Sequence, residues 1–377
     1  MNPPPAFPFR RVDFSQAPFL TIWETTRSCA LACRHCRAEA ILGRDPRELT
    51  TEEGKDLIDQ VAEMGTPILI FSGGDALNRD DLEELIAHAK NKSLRTGTIP
   101  AATSGLSRER ILSLKAAGID QIAFSLDAPN AALHDGFRGI DGAFDKTILA
   151  AGWVREAGVP LQINTCFGAW NYSLLEDMVG LVKELGVSFW EVFFLIPMGR
   201  GSEMQSLSAE QFESAFKRLH QLSREEDFVV KLTEAPHYRR YVIKEENKRG
   251  SAGAAGRIKQ VLARERGVKG GMGLSPEAVN SGKGFMFIDH IGNICPSGFL
   301  PVAAGQIRRQ PLAEVYRNAP LFVQLRDPEQ LKGKCGRCEF AAICAGSRAR
   351  AWAVTGDPLA ADPFCAYEPE EKVASAE

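Results

Sequence analysis

The sequence predicts an α/β fold, a partial (βα)6 TIM-type barrel followed by a small C-terminal extension rich in cysteine. Short apolar runs alternate with amphipathic segments up to about residue 225, and repeated βα units imply a parallel sheet with helices outside. Six units are too few to close an eight-stranded barrel, and ligands are expected at the carboxyl ends of its strands. Strands are predicted at residues 19–25, 67–71, 98–103, 121–126, 161–166 and 190–196.

The helix after the first strand is predicted to begin near Thr51, because Thr50 or Thr51 can cap it and Glu53 places negative charge in its first turn. The second strand is a continuous apolar run, which is typical of a strand buried on both faces. The remaining helices are predicted at residues 80–90, 107–117, 144–157 and 172–185.

Four regions are predicted along the chain. Residues 1–18 form an N-terminal extension and residues 19–242 the partial barrel. Residues 243–283, rich in Gly, Lys, Arg and Ala, are expected to form a linker or lid around one short helix near 255–265. Residues 284–377 form the extension, which begins with a β-hairpin turning at residues 289–292.

Composition limits the class of protein. The 377 residues carry a net charge of −3, which gives no electrostatic reason to expect nucleic acid or an anionic membrane as partner. The sequence has no signal peptide or transmembrane segment, so we expect a cytoplasmic protein. A reducing compartment argues against disulfides. Eight of the nine cysteines fall into two tight groups plus flanking positions, which indicates metal ligands.

Cys29, Cys33 and Cys36 place three thiolates in one short loop after the first strand. Three ligands for a four-iron cluster leave one iron open, which a catalytic metal site requires. His35 precedes the last cysteine, where its flat ring could pack against a bound adenine. A zinc site, or a structural cluster with a distant fourth ligand, is the alternative on spacing alone.

This pattern, Cys-x3-Cys-x2-Cys with His35 at the aromatic position, resembles the signature of radical S-adenosylmethionine (SAM) enzymes. The resemblance implies a [4Fe–4S] cluster that binds SAM at its open iron. Ser72-Gly73-Gly74-Asp75 resembles the family's GGE/GGD motif, whose backbone and acid hold the SAM amino group. Glycine permits close approach of the backbone, and a carboxylate pairs with an ammonium group. By itself, Gly-Gly-Asp is an ordinary turn.

Further segments resemble the family more weakly. Thr103 begins a segment similar to TNG, and Ser125 begins one similar to SLD, where the serine approaches SAM. Arg138 ends a stretch similar to HD…RG and could pair with the SAM carboxylate or form a surface salt bridge. The last candidates could line the pocket or simply belong to the core, and they are Gln162, Asn164, Thr165, Leu195 and Ile196.

The second cysteine group, Cys335-x2-Cys338-x5-Cys344 with Cys365, resembles the SPASM or twitch extension that carries auxiliary clusters. Arg348 stands where a further cysteine would serve an inner cluster. The resemblance therefore implies one auxiliary [4Fe–4S] cluster on these four cysteines.

Two cysteines remain outside both groups. Cys295 could replace a ligand, lie free near the substrate or be an inert buried thiol, whereas Cys166 is expected in the core. The cations near the second group could offset cluster charge or attract a carboxylate-bearing substrate, and they are Lys332, Lys334, Arg337, Arg348 and Arg350.

The resemblance implies reductive cleavage of SAM to a 5′-deoxyadenosyl radical that abstracts a substrate hydrogen. The auxiliary cluster would assist a net oxidation, which could be decarboxylation, dehydrogenation or cross-linking. The segment 295–305 and the second cysteine group resemble the branch that trims propionate side chains of haem and haem d1 precursors or matures peptides.

We therefore expect a tetrapyrrole or other cofactor precursor as substrate and reduced flavodoxin or ferredoxin as electron donor. A ribosomally made peptide is the alternative substrate. A non-catalytic iron–sulfur electron carrier and a zinc-binding interaction protein are the alternatives of a different class.

Overall fold

The computed structural model describes residues 12–248, 275 and 277–370. Ten strands within these residues form one sheet. Their bounds are β1 Leu20–Glu24, β2 Ile68–Ser72, β3 Arg95–Thr98, β4 Gln121–Ser125, β5 Leu161–Phe167, β6 Phe189–Phe194, β7 Val229–Thr233, β8 Phe285–Ile288, β9 Asn293–Cys295 and β10 Gly305–Gln306.

The sheet runs in the order β10-β9-β8-β1-β2-β3-β4-β5-β6-β7. Strands β1 to β7 are parallel neighbours in sequence order, and β8 pairs in parallel with the other side of β1. Within the described residues the two outer strands, β10 and β7, do not pair with each other. The predicted fold class, a partial barrel of parallel βα units, is confirmed.

Helices alternate with these strands and cover the outside of the sheet. Their bounds are α1 Thr51–Glu63, α2 Leu82–Asn91, α3 Arg108–Ala116, α4 Ala131–Arg138, α5 Ala143–Glu156, α6 Leu175–Glu184, α7 Ala209–Glu225, α8 Tyr238–Lys248, α9 Leu312–Asn318, α10 Pro320–Arg326, α11 Gly333–Gly336 and α12 Arg348–Thr355.

Helix α1 begins where the sequence predicts it. The Thr50 side chain accepts a hydrogen bond from the Glu53 backbone, and the Glu53 side chain accepts one from the Thr50 backbone, which completes a capping box. The apolar side of α1 buries Leu57, Ile58 and Val61 in the main core.

Two strands differ from the sequence prediction. The third lies at Arg95–Thr98 rather than 98–103, because Pro100 has no N–H to pair and Thr98 instead satisfies its buried hydroxyl on the Phe71 carbonyl, 3.0 Å away. Strand β7 was missed because Lys231 interrupts its short apolar run; its ammonium meets Glu191 on β6 at 2.8 Å. The barrel therefore has a seventh βα unit, β7 with α8.

Helix α4 was also missed, since the sequence analysis treated residues 134–139 only as a motif. Asn130 caps its first turn by accepting the Leu133 N–H at 3.1 Å. Gly139 ends it with φ 71°, a left-handed conformation that favours glycine. Helix α4 has only eight residues between these two end signals.

The C-terminal extension continues the barrel sheet. The predicted hairpin is confirmed as β8 and β9, whose turn is held by Asp289 accepting the Ile291 and Asn293 N–H groups at 3.0 and 2.8 Å. Helix α8 runs across the predicted boundary between the barrel, which ended at residue 242, and the linker, which began at residue 243. The four-region division remains a prediction, and the helix expected near 255–265 lies outside the described residues.

Among the described helices, none is long and apolar enough to cross a membrane.

Tyr316 on α9 ties the N-terminal segment to the start of β8. Its buried hydroxyl donates to the Phe14 carbonyl at 2.9 Å and accepts the Gly284 N–H at 3.1 Å. We expect Tyr316→Phe to lower the free energy of unfolding by roughly 1–3 kcal/mol, because both backbone groups lose their partner. Chemical denaturation monitored by circular dichroism measures this. Tyr172→Phe, on a half-buried turn before α6, is the control; an equal loss there would contradict the assignment.

Candidate functional site

A cavity of about 490 Å³ opens among the strands of the parallel sheet. Its wall includes the three clustered cysteines of the first group and polar and apolar side chains from β2, β4, β5 and the segment after β6. The predicted site residues that line it are Cys29, Cys33, Cys36, His35, Ser72, Gly73, Gly74, Ser125, Arg138, Gln162, Asn164, Leu195 and Ile196.

The first cysteine loop is held from both ends. The Cys29 N–H donates to the Ile41 carbonyl at 2.8 Å, and the N–H groups of Ala32 and Arg34 donate to the end of α4 at 3.1 and 3.0 Å. Cys29 and Cys33 are buried, and burial raises the pKa of the Cys29 thiol to about 12. Iron binding would therefore release a proton from this thiol.

Arg138 does not form the surface salt bridge considered from the sequence. It is buried and donates from Nε to Asp127 Oδ2 at 2.7 Å, while Nη1 lies 3.6 Å from Cys33 Sγ. Burial opposes ionisation of Asp127, but the charge of Arg138 and the hydrogen bond from the Cys166 backbone favour the carboxylate, and the pKa of Asp127 is lowered. The Arg138 guanidinium is thus already engaged by Asp127 and lies beside Cys33.

Asp127 organises the strand ends around this ion pair. Its Oδ1 accepts the Cys166 N–H at 2.8 Å, and its backbone N–H donates to His134 Nδ1 at 3.2 Å. Asn171 donates to the carbonyls of Asp127 and Cys166 at 2.9 and 2.8 Å. The sequence analysis missed Asn171, which no motif marks.

His35 lies at the edge of the cavity beside an aromatic stack. Its ring is nearly parallel to Phe137, with centroids 4.6 Å apart, and Phe137 stacks on Trp170 at 4.1 Å. Burial and the charge of Arg138 lower the pKa of His35 to about 3, so the ring is neutral at pH 7. Its Nδ1 is buried with no hydrogen-bond partner among the described residues, which leaves a donor or acceptor for a ligand.

The glycine motif has a different physical reason from the one expected. A Cβ on Gly73 would lie 2.7 Å from the Thr26 carbonyl oxygen, and one on Gly74 would lie 2.5 Å from the Ser28 carbonyl oxygen. The Gly74 N–H donates to Thr26 O at 2.7 Å. Glycine is needed because this loop packs on the backbone that leads into Cys29, while both glycines also line the cavity.

Asp75 and Thr103 do not line the cavity, contrary to the prediction. The Asp75 carboxylate is fully buried and accepts the Thr103 hydroxyl at 2.7 Å and the N–H groups of Leu77 and Ala101 at 3.1 and 3.2 Å. Burial raises the pKa of this carboxyl despite these bonds. Asp75 thus fixes the loops beside the cavity, and its pairing with the SAM amino group remains a prediction.

A polar network lines the barrel interior at β5, β6 and β7. Glu191 accepts Gln162 Nε2 at 2.9 Å, Lys231 Nζ at 2.8 Å and the Thr233 hydroxyl at 2.5 Å. Gln162 also donates to Asn164 Oδ1 at 2.6 Å. These polar residues therefore form a hydrogen-bonded network with one another and also line the cavity.

The two cysteines outside the groups are placed differently from each other. Cys166 is half-buried and lines the cavity, so the expectation of a core position was wrong. Cys295 is 2% exposed and lines neither this cavity nor the second pocket, and burial raises the pKa of its thiol to about 12. These positions favour the inert buried thiol among the three roles considered for Cys295.

Glu234 lies just after β7, lines the cavity and was missed by the sequence analysis. It has φ 57°, which is strained for a residue with a side chain. Its Oε2 accepts the Ser347 hydroxyl of the extension at 2.6 Å, and burial raises the pKa of this carboxyl. Nothing in the sequence around Glu234 indicates this left-handed backbone conformation or its position in the cavity wall.

The four cysteines of the second group line one small pocket in the extension. Cys335 and Cys344 are buried, and Cys338 and Cys365 are half-buried. The N–H groups of Gly346 and Asp362 point to the sulfurs of Cys344 and Cys335, both at 3.4 Å. Backbone N–H groups directed at sulfur suit thiolate ligands, which carry negative charge.

The cations of this segment are mostly engaged by the protein. Arg348 is fully buried, donates to the carbonyls of Pro358 and Ala360 at 2.9 and 2.7 Å, and has Nη2 3.7 Å from Cys335 Sγ. Arg350 pairs with Asp362 at 3.0 Å. None of the five predicted cations lines the cavity, so the positions favour charge balance at the second pocket over substrate attraction.

In the part of the chain that the structure describes, no group of three or more His, Cys, Asp or Glu side chains is arranged to hold a single metal ion. A mononuclear zinc site needs such a group.

Comparison with known proteins identifies the family. The family model described as "Radical SAM superfamily" matches residues 23–187. AdoMet-dependent heme synthases of Methanosarcina barkeri and Nitratidesulfovibrio vulgaris are 40% and 38% identical; the alignments cover 96% and 93% of this chain and 100% and 92% of those proteins.

The fold is similar to that of Streptococcus suis SuiB bound to precursor peptide SuiA. The TM-score is 0.70 at 16% identity, and the match covers 93% of this chain and 76% of that one. Because similarity to the heme synthases extends over nearly the whole sequence, the chain belongs to the radical SAM superfamily, whose enzymes use a [4Fe–4S] cluster and SAM.

Proposed function

We propose that this enzyme oxidises a carboxylate-bearing tetrapyrrole, an iron porphyrin precursor of haem, with the help of an auxiliary [4Fe–4S] cluster. The observation that carries the proposal is the 40% identity to a heme synthase over 96% of this chain. The peptide alternative has weaker support, because the peptide-bound neighbour is only 16% identical and is similar in fold alone.

Cys29, Cys33 and Cys36 would hold the first cluster, and the backbone of Gly73 and Gly74 beside them would hold SAM. When bound, these groups supply a radical that removes hydrogen from an unactivated C–H bond. His35 would flank SAM as a neutral ring, since its lowered pKa keeps it uncharged. Ser125 and Asn164 would offer polar atoms to SAM from the strand ends, and Leu195 an apolar surface.

The protein's own contribution is positioning and exclusion of water. The Asp127–Arg138 pair fixes α4 against the cysteine loop, so the thiols face the cavity in one arrangement. Partial enclosure by β1 to β7 removes the reacting carbon from bulk water, which protects a reactive radical from side reactions.

Cys335, Cys338, Cys344 and Cys365 would hold the auxiliary cluster. Four cysteine ligands leave no iron open, and this suits transfer of an electron rather than binding of substrate. A net oxidation needs such an acceptor for the electron left on the substrate. Reduced flavodoxin or ferredoxin remains the proposed donor to the first cluster.

The substrate proposal is tested with reconstituted enzyme, SAM, dithionite and iron coproporphyrin III, an iron porphyrin with four propionate side chains. We expect mass spectrometry to detect loss of CO2 and two hydrogens from a propionate, which leaves a vinyl group. Formation of 5′-deoxyadenosine without any change in the porphyrin would reject this substrate class and leave the radical SAM assignment intact.

Replacing Cys29, Cys33 and Cys36 together with Ala is expected to abolish 5′-deoxyadenosine formation, because no site for the first cluster remains. Iron content should fall from about eight to about four atoms per chain. Persistent cleavage of SAM in this variant would contradict the assigned site. Cys295→Ala, which removes a buried thiol outside both groups, is the control and should retain all the iron.

Replacing Cys335, Cys338, Cys344 and Cys365 together with Ala should leave SAM cleavage intact and abolish formation of oxidised product. Formation of 5′-deoxyadenosine should continue because the first cluster is untouched, while oxidised product is lost with the electron acceptor. Chromatography measures 5′-deoxyadenosine and oxidised product in the same assay. Undiminished product would show that these four cysteines hold no cluster needed for the reaction.

Arg138→Gln should destabilise the protein by about 3–5 kcal/mol, because it leaves the Asp127 carboxylate buried without its partner. Thermal unfolding and iron content report this, and the double variant Arg138→Gln with Asp127→Asn should recover part of the loss. If the single variant were as stable as the wild type, the ion pair would not be what holds the loop.

A further inference from the structure

Five cationic side chains line the cavity, and most of them have an acidic partner or solvent. Arg37 pairs with Glu24 at 2.9 Å, and Lys231 pairs with Glu191 at 2.8 Å. Arg138 pairs with Asp127. Arg200 is exposed, so water screens it. The fifth cation, Arg239, differs from all four.

Arg239, on the first turn of α8, is half-buried and has no carboxylate partner among the described residues. Nη1 donates to the Ile343 carbonyl at 3.2 Å and Nη2 to the Val279 carbonyl at 2.5 Å. A guanidinium carries five N–H donors, so these two bonds leave three for a ligand. Burial lowers the pKa of Arg239, which reflects the cost of removing this charge from water.

Arg239 also lies in the wall that separates the cavity from the second cysteine pocket. Its contact on Ile343 is adjacent to Cys344. Asn280, which lines the cavity as well, donates to the carbonyls of Cys344 and Gly346 at 3.3 and 2.9 Å. A ligand held by Arg239 would therefore lie beside the loop that supplies the four-cysteine pocket.

We infer that Arg239 binds a carboxylate side chain of the substrate at this wall, and the inference rests on the proposed function. A planar guanidinium with free donors matches a carboxylate in shape and charge. A carboxylate there would supply the acidic partner that this half-buried cation lacks among the described residues. It would also hold the substrate against the side of the cavity nearest the proposed auxiliary cluster.

The competing role for Arg239 is charge balance, since a thiolate cluster on Cys344 and its neighbours would also attract this cation. The two roles predict different effects of replacing Arg239. A substrate-binding arginine changes the affinity for a carboxylate ligand, whereas a charge-balancing arginine changes assembly or potential of the cluster.

The test uses reconstituted holoenzyme without reductant, so that no turnover occurs, titrated with iron coproporphyrin III and followed by absorbance. We expect Arg239→Gln to weaken binding by about tenfold or more, as for loss of a charge-assisted pair, and Arg239→Lys to weaken it less. Arg326→Gln is the matched control, because Arg326 also donates to two backbone carbonyls, at 2.7 and 2.8 Å, but does not line the cavity.

The tetramethyl ester of the same porphyrin separates charge from shape. Wild type should bind the ester more weakly than the acid, and Arg239→Gln should bind acid and ester with similar affinity. Iron content of each variant is measured alongside, so that a protein lacking its clusters is recognised.

Equal affinity of wild type and Arg239→Gln for the acid, with a shifted potential of the auxiliary cluster, would overturn the inference in favour of charge balance. That result would leave the proposed function standing. Failure of the wild type to bind or convert the porphyrin would overturn the proposed substrate together with this inference.

Discussion

The buried ion pair between Asp127 and Arg138 is the interaction on which the arrangement of the main cavity depends. Asp127 lies just after the fourth strand and holds the backbone of β5 through Cys166, while Arg138 ends α4 and reaches Cys33. One carboxylate thus fixes a strand end, a helix and the cysteine loop relative to one another. Because both charges are out of water, each residue is stabilised only while the other is in place.

The second organising feature is the shared wall between the cavity and the four-cysteine pocket. Arg239 and Asn280 donate to carbonyls of residues 343–346 from the cavity side, and Glu234 accepts the hydroxyl of the next residue, Ser347. These contacts join cavity-lining residues to the extension. Movement of residues 343–347 would therefore displace side chains that line the cavity. The structure thereby gives a physical reason for the extension to be part of the same chain.

The sequence could predict what depends on local pattern. The cysteine spacings located both groups, and the alternation of apolar runs identified the parallel sheet. What it could not predict depends on distant partners: Arg138 is buried because it pairs with Asp127, and the Asp75 carboxylate accepts the Thr103 hydroxyl. Strand β3 was misplaced because buried threonines look polar in sequence, and nothing near Arg239 indicates that it lacks an acidic partner.

The pairing of β8 with β1 has a consequence for biosynthesis. Leu20 is made early, yet its neighbour Phe285 emerges from the ribosome only after the whole barrel region has been translated. Until then one edge of β1 exposes unpaired N–H and C=O groups, the feature that makes nascent sheets prone to aggregation. Contacts of such long sequence separation also slow folding. The nascent chain therefore keeps this edge of the first strand open until the eighth strand has been made.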